Sequence, residues 1–157
     1  MKTLTHTDQT IIEMIIKNCN ICFLGVVTPL NSPYVIPMNF GYLNNVLYFH
    51  GAPEGQVIDC LNINPNICVT SCTDTKLVYQ HPEVACSYRM HSYSVIAFGK
   101  VSFVKNMREK CKALNIIMKH YSHKKFEYGK PALSNVKIWK VPIDEVSCKE
   151  FGHRENK

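Results

Sequence analysis

His50 is the residue with the clearest potential for chemistry in this 157-residue sequence. Histidine titrates near physiological pH, so this side chain could donate a proton or contact an anion. Gly51 and Ala52 follow it, and residues this small allow a backbone to come close to a ligand. A hydrogen-bonded histidine that only shapes a pocket is the alternative interpretation.

Two further pairs have the residue types of metal ligands. Cys19-x-x-Cys22 could be half of a zinc site or a redox pair, but no second pair stands at zinc-finger spacing. His120-x-x-His123 lies at the end of a predicted helix among lysines, where an interaction with the helix dipole is the simpler account. We therefore expect structural roles for both pairs and no metal site.

The composition is that of an ordinary globular chain, with 46% hydrophobic and 19% charged residues. The net charge is +6, with much of the basic excess in residues 100–130, but no RNA-binding aromatic pattern or helix-turn-helix pattern accompanies it. We expect a solvated basic face and no nucleic-acid partner.

No apolar run approaches the roughly 20 residues that span a bilayer, and no secretion signal precedes the eight cysteines. These features predict reduced, buried thiols, no membrane contact and a cytoplasmic location.

The elements that position His50 form a predicted hairpin. Residues 34–42 alternate between two faces, and we expect one face to be buried. That face contains Tyr34, Ile36, Met38, Phe40 and Tyr42, while the other contains Val35, Pro37, Asn39 and Gly41. The second face is small and polar enough to leave room for a flat ligand. Pro37 cannot donate to a strand ladder, so the strand is an edge or bends there. Asn44-Asn45 favours a tight turn into a second strand, 46–49.

The rest of the chain alternates strands with inserted helices. We predict a helix over 7–18 with Ile11, Ile12, Ile15 and Ile16 on one face, capped by Thr7 or Thr10. Strands are expected at 21–28, 67–73, within 86–104, and at 136–141 and 143–151. A short helix at 55–63 and a helix from Asn106 to Tyr121, with a stripe of Met107, Cys111, Leu114, Met118 and Tyr121, complete the pattern. The pattern indicates an α+β fold, mostly antiparallel, in a single domain over residues 1–157.

Three segments give this chain a family resemblance. They are Tyr34–Tyr42, Leu47–Gly55 and Ser94–Lys100, supported by Asn64-Pro65-Asn66-Ile67-Cys68. In this order and spacing they resemble the pyridoxamine 5'-phosphate oxidase-like FMN-binding split-barrel superfamily, in particular its nitroimidazole-resistance and general-stress flavoproteins. The resemblance covers roughly residues 8 to 151. It implies a Greek-key-like split β-barrel with inserted helices, and a homodimer with FMN at the subunit interface.

The resemblance also implies a set of cofactor-binding residues. Those at the flavin ring would be Pro37, Met38, Asn39 and Phe40. Those beside the ring and the ribityl chain would be His50, Gly51 and Ala52. Those at the phosphate would be Gly55, Gln56 and Val57, with Tyr93 and Ser94.

The sequence departs from the family at the phosphate. Gln56, Val57 and Tyr93 occupy positions that are often basic in the family. Charge-assisted contacts are the strong ones to a phosphate, so another cation, Arg89 or Lys100, would have to compensate.

The function that the resemblance implies is an FMN-dependent oxidoreductase of the nitroreductase or flavin reductase type. It would pass electrons from a nicotinamide donor through FMN to a small acceptor such as a nitroaromatic, with His50 as the catalytic residue. A non-catalytic flavin carrier is the second hypothesis. Pyridoxamine 5'-phosphate oxidation is the third, because no basic set suits a second phosphate.

Overall fold

The computed structural model describes residues 2–153 and contains ten strands and four helices in that range. The strands are β1 (Lys2–His6), β2 (Cys22–Val27), β3 (Pro33–Met38), β4 (Gly41–Leu43), β5 (Val46–Gly51), β6 (Asn66–Cys72), β7 (Lys76–Val78), β8 (Arg89–Lys100), β9 (Ser102–Phe103) and β10 (Lys137–His153). The helices are α1 (Gln9–Lys17), α2 (Gln56–Ile63), α3 (Met107–Tyr121) and α4 (Lys130–Ser134), and a 3₁₀ turn covers Ala85–Ser87. None of the helices within residues 2–153 is long and apolar enough to span a membrane.

The strands are arranged in the order β3-β2-β6-β8-β10-β5-β4, with β1 and β9 on β10 and β7 on β8. Every described pairing is antiparallel. The strands enclose a core whose largest fully buried side chains include Leu24, Phe40, Phe49 and Trp139. The predicted α+β split barrel is therefore confirmed.

Asp8, rather than Thr7 or Thr10, caps helix α1. Its carboxylate accepts hydrogen bonds from the backbone N–H groups of Thr10 at 2.8 Å and Ile11 at 3.2 Å. The predicted caps are wrong because the first helical turn starts one residue after Asp8, which places its side chain next to those free N–H groups. The predicted apolar face is correct: Ile12, Ile15 and Ile16 are buried and Ile11 is partly buried.

The predicted strand 34–42 is interrupted, and its two parts pair with different strands. β3 pairs with β2 and forms one end of the strand order, which agrees with the edge position expected for Pro37. β4 forms the hairpin with β5, so the hairpin is shorter than predicted. Its turn has φ angles of 50° at Asn44 and 61° at Asn45, as the Asn-Asn pair predicted.

Helix α3 begins at the predicted cap, but it is rotated relative to the predicted stripe. The side chain of Asn106 accepts from the N–H groups of Arg108 and Glu109. The buried residues are Ala113 and Ile117, whereas Met107 and Tyr121 are exposed. The stripe is correct only in part, since Cys111, Leu114 and Met118 are half-buried. At Ile117 the backbone of α3 packs against Gly41, where the absence of a side chain permits a very close approach.

The C-terminal part forms one strand instead of two. β10 runs through Pro142 with a register irregularity between Ile143 and Glu145. Its first half pairs with β5 and its second half with β8, so this bent strand joins the two parts of the barrel. Strand β1 was not predicted, because its residues are mostly polar and exposed; it pairs with the end of β10.

Candidate functional site

A groove opens where β3, the end of β5 and the start of α2 meet beside β10. Its volume is about 230 Å³. The residues that line it are Tyr34, Ile36, Met38, Gly51, Ala52, Glu54, Gly55, Gln56, Val57, Ile58 and Trp139. The alternation of β3 explains its wall, because the partly buried Tyr34, Ile36 and Met38 share one face.

Two glycines keep the groove open. A Cβ built on Gly51 would lie 3.3 Å from Cη2 of Trp139, so a side chain there would crowd the indole. Gly55 has a φ of 128°, which L residues with a side chain rarely adopt, and nothing lies within 4 Å of the space its Cβ would fill. Gly51 therefore leaves the space that the Trp139 indole occupies, and the backbone at Gly55 is accessible to a flat ligand.

Trp139 forms the floor of the groove on β10. Its side chain is almost fully buried and stacks on Phe49, with ring centroids 5.9 Å apart and an angle of 18° between the planes. The indole Nε1 is buried without a hydrogen-bond partner in the part of the chain that the structure describes. Trp139 is therefore a core residue of β10 that also borders the groove.

The start of α2 supplies the polar end of the groove. Gly55 occupies the N-cap, and no side chain caps the free N–H groups of the first turn. Such groups favour an anion. The charged side chains around them are nevertheless acidic: Glu54 lines the groove and Asp59 lies in the first turn of the helix. No lysine or arginine is among the groove's lining residues.

The groove brings together six of the residues expected to bind a cofactor, from three elements. These are Met38, Gly51, Ala52, Gly55, Gln56 and Val57. Pro37 and Asn39 are exposed and lie outside the groove. Phe40 is buried in the core, where its N–H donates to the hydroxyl of Tyr121 at 2.9 Å. His50 is exposed on the face of β5 opposite Gly51.

The remaining expected residues lie on β8, away from the groove. Two strands, β2 and β6, separate β8 from β3 in the strand order. Tyr93 packs between the rings of His6 and His91. Ser94 lies on the opposite face of β8, and neither Arg89 nor Lys100 lines the groove.

Ser94 belongs to an exposed apolar face of the sheet, which we call the outer face. Pro37, Phe23, Thr70 and Ile96 lie side by side across β3, β2, β6 and β8. The large apolar residues on this face are more than one third exposed: Ile21, Phe23, Val35, Ile96 and Phe98. The expected ligand residues Pro37 and Ser94 therefore share a surface rich in exposed apolar side chains.

The cysteines are all unpaired, and their surroundings differ. Cys19 and Cys22 are buried and donate to the carbonyl oxygens of Ile15 and Met38. Burial raises the pKa of the Cys22 thiol to about 12 and also raises the pKa of Cys19. The prediction of buried thiols is correct for Cys19, Cys22, Cys60 and Cys148 and wrong for Cys72 and Cys86, which are exposed.

A cluster of histidines around Glu150 was missed by the sequence analysis. The buried carboxylate is 3.2 Å from Nε2 of His6, 3.0 Å from Nε2 of His91 and 2.9 Å from Nδ1 of His153. The three histidines are widely separated in sequence and meet only because β1 and β8 both pair with β10. No local motif could have revealed the cluster.

The fold and the groove define a class: an antiparallel split barrel with a groove at the start of a helix. The family profile of pyridoxamine 5'-phosphate oxidase matches residues 8–150. The chain therefore belongs to the pyridoxamine 5'-phosphate oxidase family, as the resemblance predicted. A comparison with curated protein sequences gave no match.

Solved structures extend this assignment. A proposed 5-nitroimidazole antibiotic resistance protein from Bacteroides thetaiotaomicron is 48% identical, with a TM-score of 0.87, and the match covers 95% of this chain and 87% of that chain. The flavocytochrome Anf3 from Azotobacter vinelandii is 19% identical, with a TM-score of 0.83 over 98% of this chain and 72% of that chain. An FAD-binding protein from Mesorhizobium loti is 19% identical, with a TM-score of 0.68 over 96% and 99% of the two chains. The last two similarities concern the fold.

Proposed function

We propose that this protein is a flavin-dependent oxidoreductase that binds FMN in the groove between β3, the end of β5 and the start of α2. The observation that carries the proposal is the meeting of six sequence-predicted residues in that groove. The family assignment and the FAD-binding protein of the same fold support a flavin as the ligand.

The groove suits the flat ring of a flavin. Ile36, Met38 and Trp139 offer apolar surface, and Gly55, with open space beside it, permits close approach of the backbone. The unpartnered indole N–H of Trp139 is a donor available to an oxygen or nitrogen of a ring after a small rearrangement of the floor.

Binding of the FMN phosphate would depend on backbone N–H groups. The uncapped N–H groups at the start of α2 would hold it, with Gln56 as a neutral neighbour. Glu54 and the absence of a lysine or arginine among the lining residues disfavour a ligand with several phosphates. They also disfavour pyridoxamine 5'-phosphate as a second phosphorylated ligand at the same site.

A second copy of the chain would complete the site. A groove of about 230 Å³ is smaller than the roughly 300–1,000 Å³ of most small-molecule sites, so one chain covers a flavin only in part. The outer face, with Phe23, Ile96 and Phe98 exposed, suits a homodimer because contiguous apolar patches of this kind mark interfaces. Pro37 and Ser94 on that face would then approach the ligand of the partner subunit.

When bound, the flavin would supply the redox chemistry, accepting a hydride from a nicotinamide donor and passing electrons to a small acceptor. The chain would hold the ring, exclude water on the Trp139 side and leave one edge open to substrates. His50 stays the predicted proton donor to the reduced acceptor, from an exposed position on the face of β5 opposite Gly51 and outside the groove of its own chain. A nitroaromatic acceptor is the preferred class because of the 48% identical relative.

The visible spectrum of the purified protein tests this function. We expect FMN added to the apoprotein to be bound, and its absorbance to be bleached by NADH or NADPH without oxygen and restored by a nitroaromatic compound. FMN that binds but is not reduced by either donor would support the alternative, a flavin carrier. Failure to bind FMN would overturn both.

A further inference from the structure

A second cleft lies between the last turn of α1, strand β4 and the C-terminal half of α3. Its volume is about 590 Å³, which is larger than the flavin groove and within the range of small-molecule sites. It shares none of its lining residues with that groove. Tyr42, Leu43 and Ile116 provide apolar surface, and Leu43 is about 45% exposed.

One wall of this cleft is fixed by a chain of polar contacts. The carboxylate of Glu13 accepts from the hydroxyl of Tyr42 and from Nζ of Lys17, each at 3.2 Å. The ammonium group of Lys17 therefore stands above the Tyr42 ring, 5.9 Å from its centroid. Two of its three donor positions stay available to a ligand.

The opposite wall is fixed by His120. Its Nε2 is 2.8 Å from the carbonyl oxygen of Cys19, and because a carbonyl only accepts, the proton of the neutral ring lies on Nε2. The ring also packs against Phe40, with centroids 4.6 Å apart. Nδ1 is the ring atom left for a ligand, as an acceptor in the neutral ring and as a donor in the protonated ring.

The charge of the cleft is positive. The carboxylate of Glu13 neutralises the positive charge of Lys17, with which it forms an ion pair. Lys119 lines the cleft and forms no ion pair among the residues 2–153 that the structure describes. An adjoining cleft of about 460 Å³ also contains Lys119 and adds Lys124 and Lys125. The lysines thus raise the positive potential next to an apolar surface.

We propose that this cleft binds a small organic anion. Its carboxylate or phosphate would contact Lys119 and Lys17, and its apolar part would rest on Leu43 and Ile116. Asn115, which also lines the cleft, can donate to or accept from the polar end of such a molecule. The site is separate from the flavin groove, so it does not depend on the proposed function.

Nuclear magnetic resonance titration of the full chain tests the proposal. The probes are benzoate, phenyl phosphate and the neutral benzamide, which has the shape of benzoate without its charge. We expect the anions to shift the amide signals of Leu43, Ile116 and His120, and benzamide to have little effect. Tighter binding of benzoate would identify a carboxylate site, and tighter binding of phenyl phosphate a phosphate site.

Two exposed lysines of α3 make a matched pair of variants. Lys119→Gln should weaken binding of the anions roughly fivefold, and added salt should weaken it further. Lys112→Gln removes the same charge from the same helix outside the cleft and should leave the affinity nearly unchanged. Equal binding of benzoate and benzamide, equal effects of the two variants, or shifts confined to other regions would overturn the proposal.

Discussion

Gly41 lies directly against the backbone of Ile117. A Cβ built on Gly41 would be 2.7 Å from both the nitrogen and the Cα of Ile117, atoms that no side-chain rotation can move. This contact sets the distance between helix α3 and the β4–β5 hairpin. Through that helix it also sets the position of the cleft that contains Lys119.

Gly41→Ala is therefore expected to destabilise the protein. Shifting a helix to admit one methyl group should reduce the free energy of unfolding by about 1–3 kcal/mol, measured by urea denaturation. Gly129→Ala is the matched control, because the nearest atom to its Cβ would be Cδ of Pro131 at an ordinary 3.7 Å. A loss as small for Gly41→Ala as for Gly129→Ala would show that α3 can move away at little cost.

Gln56→Arg should tighten the binding of FMN. The new guanidinium would add a charge-assisted contact where no lysine or arginine lines the groove, and we expect an increase of roughly tenfold. Riboflavin, which has no phosphate, should be bound as before. Gln80→Arg, in an exposed loop outside the groove, controls for net charge. Fluorescence titration would contradict the placement of the phosphate if FMN binding by Gln56→Arg were unchanged or weaker.

Phe98→Glu should disrupt the proposed homodimer. Phe98 is 47% exposed on the outer face, and a carboxylate there would be buried against the partner subunit. Leu30→Glu places the same charge at a residue that is 89% exposed in the turn before β3. Analytical ultracentrifugation should detect a monomer for the first variant only. A wild-type protein that sedimented as a monomer would refute the proposed interface.

Glu150 should make the stability depend on pH in the acidic range. Burial pushes the pKa of this carboxyl up, but hydrogen bonds from His153, His91 and His6 outweigh burial, and the pKa is lowered from its usual 4.5. A lowered pKa means that the carboxylate stabilises the fold above the pKa of the unfolded chain. This stabilisation is lost as the pH falls through the folded pKa.

Glu150→Gln tests this dependence directly. At pH 7 the free energy of unfolding of the variant should be about 1–3 kcal/mol lower than that of the wild type, because the charged acceptor is lost. The difference should shrink as the pH falls from the pKa of the unfolded chain through the lowered pKa of the folded carboxyl, where the wild-type side chain becomes protonated. Denaturation curves that differ by the same amount at pH 7 and pH 3 would mean that the charge of Glu150 contributes nothing.

The cysteines should differ in their reaction with iodoacetamide. With a pKa of about 12, the buried Cys22 has only about one thiolate in ten thousand at pH 8, whereas Cys86 is exposed. We expect mass spectrometry to find Cys86 modified in the native protein and Cys22 modified only after unfolding. Rapid native modification of Cys22 would contradict its packing in the core.

The sequence predicted what depends on local patterns. The Asn44-Asn45 turn, the Asn106 cap and the isoleucine face of α1 are each specified by a few neighbouring residues, and the structure contains them. The groove residues Gly51 to Val57 were predicted through the family resemblance. Six of the twelve expected cofactor-binding residues line one groove of this chain, and their role in binding stays a prediction.

Features that depend on distant residues could not be predicted. The close packing of α3 depends on a contact between Gly41 and Ile117, which are far apart in the sequence. The histidines around Glu150 meet only through strand pairing, and Trp139 reaches the groove only because β10 pairs with β5. A hydrophobic pattern within one element does not contain this information.

Strand β10 has a consequence for how the chain can fold during synthesis. Four described strands, β1, β5, β8 and β9, pair with it, although it is the last strand of the sequence. Before it leaves the ribosome, β5 and β8 have no neighbour on that side, so the barrel cannot close. We expect a nascent chain that ends at Val141 to remain protease-sensitive, and a chain that extends past His153 to become resistant.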